Sequence, residues 1–189
     1  MPRASAADAA LTFDAILRAG TDAFTRSGFA ETAVADVASA AGVTRGAVYH
    51  HFGDKLGLLR AVVQAGHQRV ASFVVARADA QSADARASLR AGCHAFVDGI
   101  TDDSAARVLL VEGPAALGWS QWRALDASAS MRELRDAVEA VTGAGDAAAL
   151  THLLSGAMNE GVLWLVETSG DSDARAAVHR ALDRLIDAI

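Results

Sequence analysis

Residues 32–55, TAVADVASAAGVTRGAVYHHFGDK, constrain this chain more than any other stretch, because their order dictates two short helices joined by a tight turn. Thr32 has the side chain of an N-cap, and Val34, Val37, Ala38 and Ala41 then fall on one helical face. Gly42 can take the positive φ that ends a helix, Val43 is apolar, and Thr44 can cap a second helix over Arg45–Phe52. The second helix has little to bury beyond Ala47, Val48 and Phe52, so Arg45, Gly46, Tyr49 and His50 are left facing outward. A guanidinium can pair with a guanine edge, hydroxyls and helix-start N–H groups can reach phosphates, and a bare glycine lets the helix approach a groove wall. A solvated polar face is the simpler reading of such residues; the cap, turn and small-residue pattern before them favours a nucleic-acid contact.

The surrounding residues carry a resemblance. Phe24, Gly28, Phe29, Thr32, Val37, Ala38, Ala41, Gly42, Val43, Gly46, Tyr49, His51, Phe52, Lys55 and Leu58 stand in one pattern within Ile16–Val62, about the first third of the chain. This stretch resembles the DNA-binding domain of TetR-type transcriptional regulators. The resemblance implies an all-helical homodimer whose larger C-terminal domain senses a small molecule. It also implies that Thr32, Tyr49 and Lys55 hold phosphates while Thr44, Arg45 and His50 stand nearest base edges. Lys55, the only lysine in the chain, is expected in the first turn of a helix, an unfavourable place for a cation unless an anion is near.

Composition agrees with an all-α fold: 52% of the 189 residues are apolar, prolines number two, and alternating β-branched runs are few. The expected organisation is a helix-turn-helix domain over residues 1–53 and an effector-binding and dimerisation domain over 54–189, with about nine helices in all. Charge is uneven. Residues 1–60 hold six basic and six acidic side chains, and residues 61–189 hold eleven and seventeen. The net charge of −6 therefore lies outside the reading head, whose 44–60 segment is three basic to one acidic. That balance argues against a general coat protein for nucleic acid and predicts weak, salt-sensitive nonspecific binding. A single cysteine, Cys93, excludes an intrachain disulfide, and no charged-then-apolar leader opens the sequence, so a cytoplasmic location is expected. The longest run free of Asp, Glu, Lys and Arg is thirteen residues, 147–159, too short for a membrane span.

Along the chain, Phe13, Ile16, Leu17, Gly20 and Phe24 give an amphipathic helix from Asp8 to about Ser27 that must cover the helix-turn-helix, and residues 1–7, including Arg3, read as a frayed arm. Leu59, Val63, Gly66, Val70 and Phe73 trace a long helix after Asp54, and further helices are expected over about 85–100 and 105–112. The GPAALG stretch at 113–118 is expected to enforce a turn, and Trp119 and Trp122 to open the next helix. An apolar-lined effector site needs aromatic and polarizable side chains with a few polar anchors; His67, Phe73, His94, Phe96, Glu112, Trp119, Trp122 and Met158 are the candidates. For each of them taken singly, ordinary core packing is the simpler reading.

The last two helices, after the TGAG linker at 142–145, carry more apolar surface than one face can hold. An isologous four-helix interface built from two copies of this pair accounts for it, with Leu150, Leu154, Ala157, Gly161, Trp164, Leu165, Val178, Leu182 and Leu185 as interface candidates. The functional expectation is a homodimeric repressor released from a palindromic DNA operator by a small-molecule effector, with no cofactor, metal or membrane. One rival keeps DNA binding and replaces the effector by Cys93 oxidation or a protein partner. The other, an enzyme, is disfavoured because Asp102/Asp103, Cys93/His94 and His50/His51 are adjacent pairs that diverge on a helix, and no Ser/His/Asp set, metal spacing or phosphate loop occurs.

Overall fold

The computed structural model describes residues 6–79, 84–102, 105–168 and 171–189. Among them are ten α-helices and no strand: α1 Ala6–Glu31, α2 Val34–Ala40, α3 Arg45–Phe52, α4 Lys55–Asp79, α5 Ala85–Asp102, α6 Gly113–Leu117, α7 Trp119–Asp126, α8 Arg132–Thr142, α9 Ala147–Glu167 and α10 Ser172–Asp187. Two π-helical segments are interposed, π1 Arg107–Glu112 before α6 and π2 Ala127–Met131 before α8. The expected role of Arg3 lies outside the described residues. No helix among those described is long and apolar enough to cross a membrane.

The helices form two compact units that interleave in sequence. One holds the chain up to Ala65 with Arg107–Trp122; the other holds Gly66–Ala106 with Arg123–Ile189. The expected division at 53/54 therefore falls inside the first unit, because the opening turns of α4 bury Leu58, Leu59, Val62 and Val63 there.

In the first unit, α1 buries Ile16, Gly20 and Phe24 at helical spacing. At Gly28 the chain takes φ 77 and ψ 172, so the helix breaks where the sequence expects it and resumes for one turn to Glu31. Thr32 does not cap α2. The N-cap is Ala33, and the buried Thr32 hydroxyl turns back toward the carbonyls of Gly28 at 2.7 Å and Ala23 at 3.3 Å, beside the break in α1. Gly42 takes φ 68 in the turn, and Thr44 caps α3, its Oγ1 accepting the Ala47 N–H at 3.2 Å.

The GPAALG turn is overturned. Residues 113–117 continue as helix α6, and the break comes at Gly118, φ 81. Pro114 sits at the start of α6, where its missing N–H is tolerated. The carbonyl five residues before it, on Leu109 in the wide-turned π1, accepts the Trp122 indole N–H at 2.6 Å instead.

In the second unit α5 packs against α8, α9 and α10, with Leu89, Cys93, Val97 and Ile100 buried. Polar contacts fasten α10 to α5: Arg90 pairs with Asp183 at 3.0 Å and with Asp187, His94 with Asp183 at 2.9 Å, and Arg175 and His179 with Asp98. Arg86 reaches the carbonyls of Ile186 and Ile189 at the end of α10, where a cation also suits the helix dipole.

The expected interface residues separate into two sets. Leu154, Leu165, Val178 and Leu182 are buried inside the chain's own fold, which corrects their assignment to an intersubunit surface. Trp164 and Leu185 are exposed, and so are Leu153 and Val166, which the sequence reading left out. Leu150, Ala157 and Gly161 are half-buried, Gly161 lying against Val178.

Candidate nucleic-acid interface and internal cavity

Helix α3 spends one side on the core. Val48 is 1% exposed, and Phe52 stacks on Phe13 with ring centroids 4.8 Å apart. The opposite side presents Arg45, Gly46, Tyr49 and His50, all exposed, beginning at the exposed Thr44 cap. These are the sequence-predicted residues in one stripe, spaced i, i+1, i+4 and i+5. Nothing protrudes at Gly46, and a Cβ there would meet only the Thr44 hydroxyl at 3.7 Å. The stripe joins a planar bidentate donor, a phenol, an imidazole and the free N–H groups of a helix start.

Lys55 and Thr32 are placed differently from the expectation. The Lys55 ammonium donates to the Ala30 carbonyl at 3.1 Å and the Thr32 carbonyl at 2.9 Å, and it lies 4.6 Å from the centre of the Phe29 ring. The Lys55 charge in the first turn of α4 is thus met by two carbonyls at and just beyond the end of α1, which answer its unfavourable position within the chain. The Thr32 hydroxyl, buried and donating inward, cannot reach a phosphate in this arrangement.

The second feature is a cavity of about 90 Å³ within the second unit. Its walls are Ala71, Val74 and Val75 of α4, Leu89, Gly92, Cys93 and Phe96 of α5, Leu134 and Ala137 of α8, and Ser155 and Met158 of α9, with Asp126 and Met131 also lining it. Ala71, Val75 and Glu133 also line a wider, open cleft with Gln68 and Ser128, so the cavity meets solvent on that side. Burial pushes the Cys93 thiol up to about 12, and Asp183 adds to the shift, so the sulfur stays protonated and a weak nucleophile.

Of the eight sequence-predicted ligand contacts, Phe96 and Met158 line this cavity. His67 is buried behind it, 3.8 Å from the Asp126 carboxylate, its pKa lowered by burial against the opposing pull of Asp126. Phe73 carries Arg77 over its ring and faces Gly99 instead. His94 stacks on His179 at 4.1 Å, outside the lining. Glu112, Trp119 and Trp122 belong to the first unit: Glu112 accepts the Phe29 N–H at 3.0 Å and pairs with Arg107, Trp119 is 66% exposed, and Trp122 supports π1. Sequence reasoning missed Leu89, Met131, Asp126 and Glu133. Only Asp126 had a signal, its spacing from Arg123, with which it pairs at 2.9 Å. Among the described residues no group of three or more His, Cys, Asp or Glu side chains is placed to hold a metal ion.

Comparison with known proteins covers both units. Residues 16–62 match the family model described as bacterial regulatory proteins, tetR family, and residues 86–189, over half of the chain, match the one described as tetracyclin repressor-like, C-terminal domain. The HTH-type transcriptional regulator BetI of Ectopseudomonas mendocina (strain ymp) is 36% identical over 104 residues, 55% of this chain and 49% of that protein. The HTH-type transcriptional regulator TtgR of Pseudomonas putida is 41% identical over 68 residues, 36% of this chain and 32% of that protein. The chain thus spans about a third to a half of the length of these curated relatives. Among solved structures, a TetR-family transcriptional regulator from Pectobacterium atrosepticum superposes with a TM-score of 0.74 at 27% identity, covering 96% of this chain and 95% of that one. FadR from Bacillus subtilis in complex with stearoyl-CoA gives 0.76 at 17% identity over 94% and 99% of the two chains, a likeness of fold.

Proposed function

Because the chain belongs to the TetR family of bacterial transcriptional regulators, we propose that it binds a palindromic DNA operator as a homodimer and lets go when a small molecule occupies the α5–α9 cavity. The observation that carries this reading is the outward stripe of α3, whose Arg45, Gly46, Tyr49 and His50 follow a capped helix start and are held from behind by Val48. Thr44, Arg45 and His50 would stand nearest base edges, Tyr49 would hold a phosphate, and Gly46 would allow close approach. Thr32 and Lys55 would serve the same surface indirectly, by fixing the corner between α1 and α4 on which α2 and α3 rest.

One short recognition helix makes too few contacts for selectivity, whereas two related by a twofold axis enter successive major grooves. Leu153, Trp164 and Val166 on α9 and Leu185 on α10 offer the exposed apolar surface for such pairing. Release would follow from a ligand that binds one spacing of the two reading heads better than the other. The oxidation trigger is disfavoured by the protonated, buried Cys93.

A mobility-shift titration against DNA upstream of the protein's own gene tests the proposal. Two chains should bind one palindromic site, and binding should weaken steeply with salt. A strictly monomeric complex, or equal affinity for scrambled DNA, contradicts it.

A further inference from the structure

The charge pattern of the cavity narrows what can enter it. Two carboxylates, Asp126 and Glu133, belong to the lining, and no lysine, arginine or histidine does. The cations paired with them stand outside it: Arg123 takes Asp126 Oδ2 at 2.9 Å, and Arg132 lies 3.5 Å from Glu133. Asp126 is 4% exposed, and its other oxygen, Oδ1, lies 3.8 Å from His67 Nδ1, beyond hydrogen-bond reach. An ionised carboxylate offers about four acceptor sites, so a further N–H donor can be received there. Apart from Ser88 and Ser155 the remaining wall is apolar, with Phe96, Met131 and Met158 as its polarizable large side chains.

We propose that the effector is a compact, mainly apolar molecule bearing one protonated amine, its ammonium meeting Asp126 and its hydrocarbon part lying among Phe96, Met131 and Met158. This rests on the reading of the cavity as the effector site. Glu133, shared by the cavity and the open cleft beside it, stands at the mouth and favours the approach of a cation. An anion would bring a like charge against Asp126 and Glu133 in a cavity whose lining holds no cation to receive it. The same chemistry excludes acyl thioesters of the kind in the FadR complex, whose phosphates and chain length suit neither the lining nor a volume of about 90 Å³.

Three four-carbon probes of matched shape decide the matter: n-butylamine, n-butanol and butyrate, each titrated into the full-length protein and followed by amide and methyl chemical shifts. Butylamine should bind at least about tenfold more tightly than butanol, since an ion-assisted hydrogen bond replaces a neutral one, and butyrate most weakly. Shifts should centre on Phe96, Met131 and Met158. Glu133→Gln, at the exposed mouth, should lower butylamine affinity by about two- to threefold and leave butanol unchanged, while Asp126→Asn should erase the preference for the amine. Butyrate binding as tightly as butylamine, equal binding of amine and alcohol, or no binding by any probe overturns the proposal. Operator release is read separately by fluorescence anisotropy. An amine preference without release supports the ligand class and contradicts the effector reading; release by butyrate and not by butylamine does the reverse.

Discussion

Lys55 shows how one side chain can satisfy a rule that its position otherwise breaks. A cation in the first turn of a helix opposes the dipole, but here two carbonyls at the start of the helix-turn-helix accept its protons at 3.1 and 2.9 Å, one of them on Thr32. Lys55→Met should therefore lower unfolding stability by about 1 to 3 kcal/mol in the absence of DNA, measured by urea denaturation. An unchanged midpoint with weakened operator binding would mean that the ammonium serves phosphate alone. His179 makes a second residue-scale prediction. Burial lowers its pKa, stacked His94 lowers it further, and Asp98 pulls the other way. A folded state that takes up the proton less readily than the unfolded chain gains stability as pH rises, so this contribution is full above the ordinary value of 6.5 and is lost as pH falls through the depressed folded value. Thermal midpoints should decline as pH falls from 6.5 to the folded value and level off below it, and His179→Gln should flatten that part of the profile. An identical profile in the variant would remove His179 as the cause.

At the scale of elements, local signals are legible where each element supplies its own partners. Thr44 caps α3, Gly42 turns the chain, and the stripe on α3 is what remains once Val48 and Phe52 are placed. The failures share a cause: their outcome depends on partners outside the motif that suggested them. GPAALG reads as a turn, yet it continues as helix because Trp122 serves the Leu109 carbonyl, thirteen residues away. Thr32 has the residue type of a cap, yet the break at Gly28 leaves nearer carbonyls for its hydroxyl. That break gives a third prediction. With φ 77, and with a Cβ lying 2.5 Å from Glu112 Oε1 and 2.7 Å from Arg107 Nη2, Gly28→Ala should cost about 1 kcal/mol or more and displace the Glu112 carboxylate from the Phe29 N–H. Faster exchange of the Phe29 amide would report it. Unaltered exchange and stability would mean that the corner tolerates a side chain.

For the whole molecule, periodicity announced that α9 and α10 carry surplus apolar surface but did not say which residues face inward. On α9, Leu153 is 70% exposed while its neighbour Leu154 is 5% exposed, and the packing of α9 against α5, α8 and α10 separates them. The effector residues are harder still, because a cavity is made by several helices at once, and two of the aromatic residues that suggest one, Trp119 and Trp122, belong to the first unit. Leu153→Glu should yield a monomer of native helix content by ultracentrifugation, whereas Leu154→Glu should unfold the second unit. A dimer surviving Leu153→Glu would place the subunit contact on another face.

The central claim is that the exposed side of α3 reads DNA. Fluorescence anisotropy on the operator and on a scrambled duplex, for wild type and Arg45→Ala, tests it most directly. Arg45→Ala should lose about ten- to a hundredfold on the operator with little change on scrambled DNA. Equal operator affinity in the two proteins would contradict it.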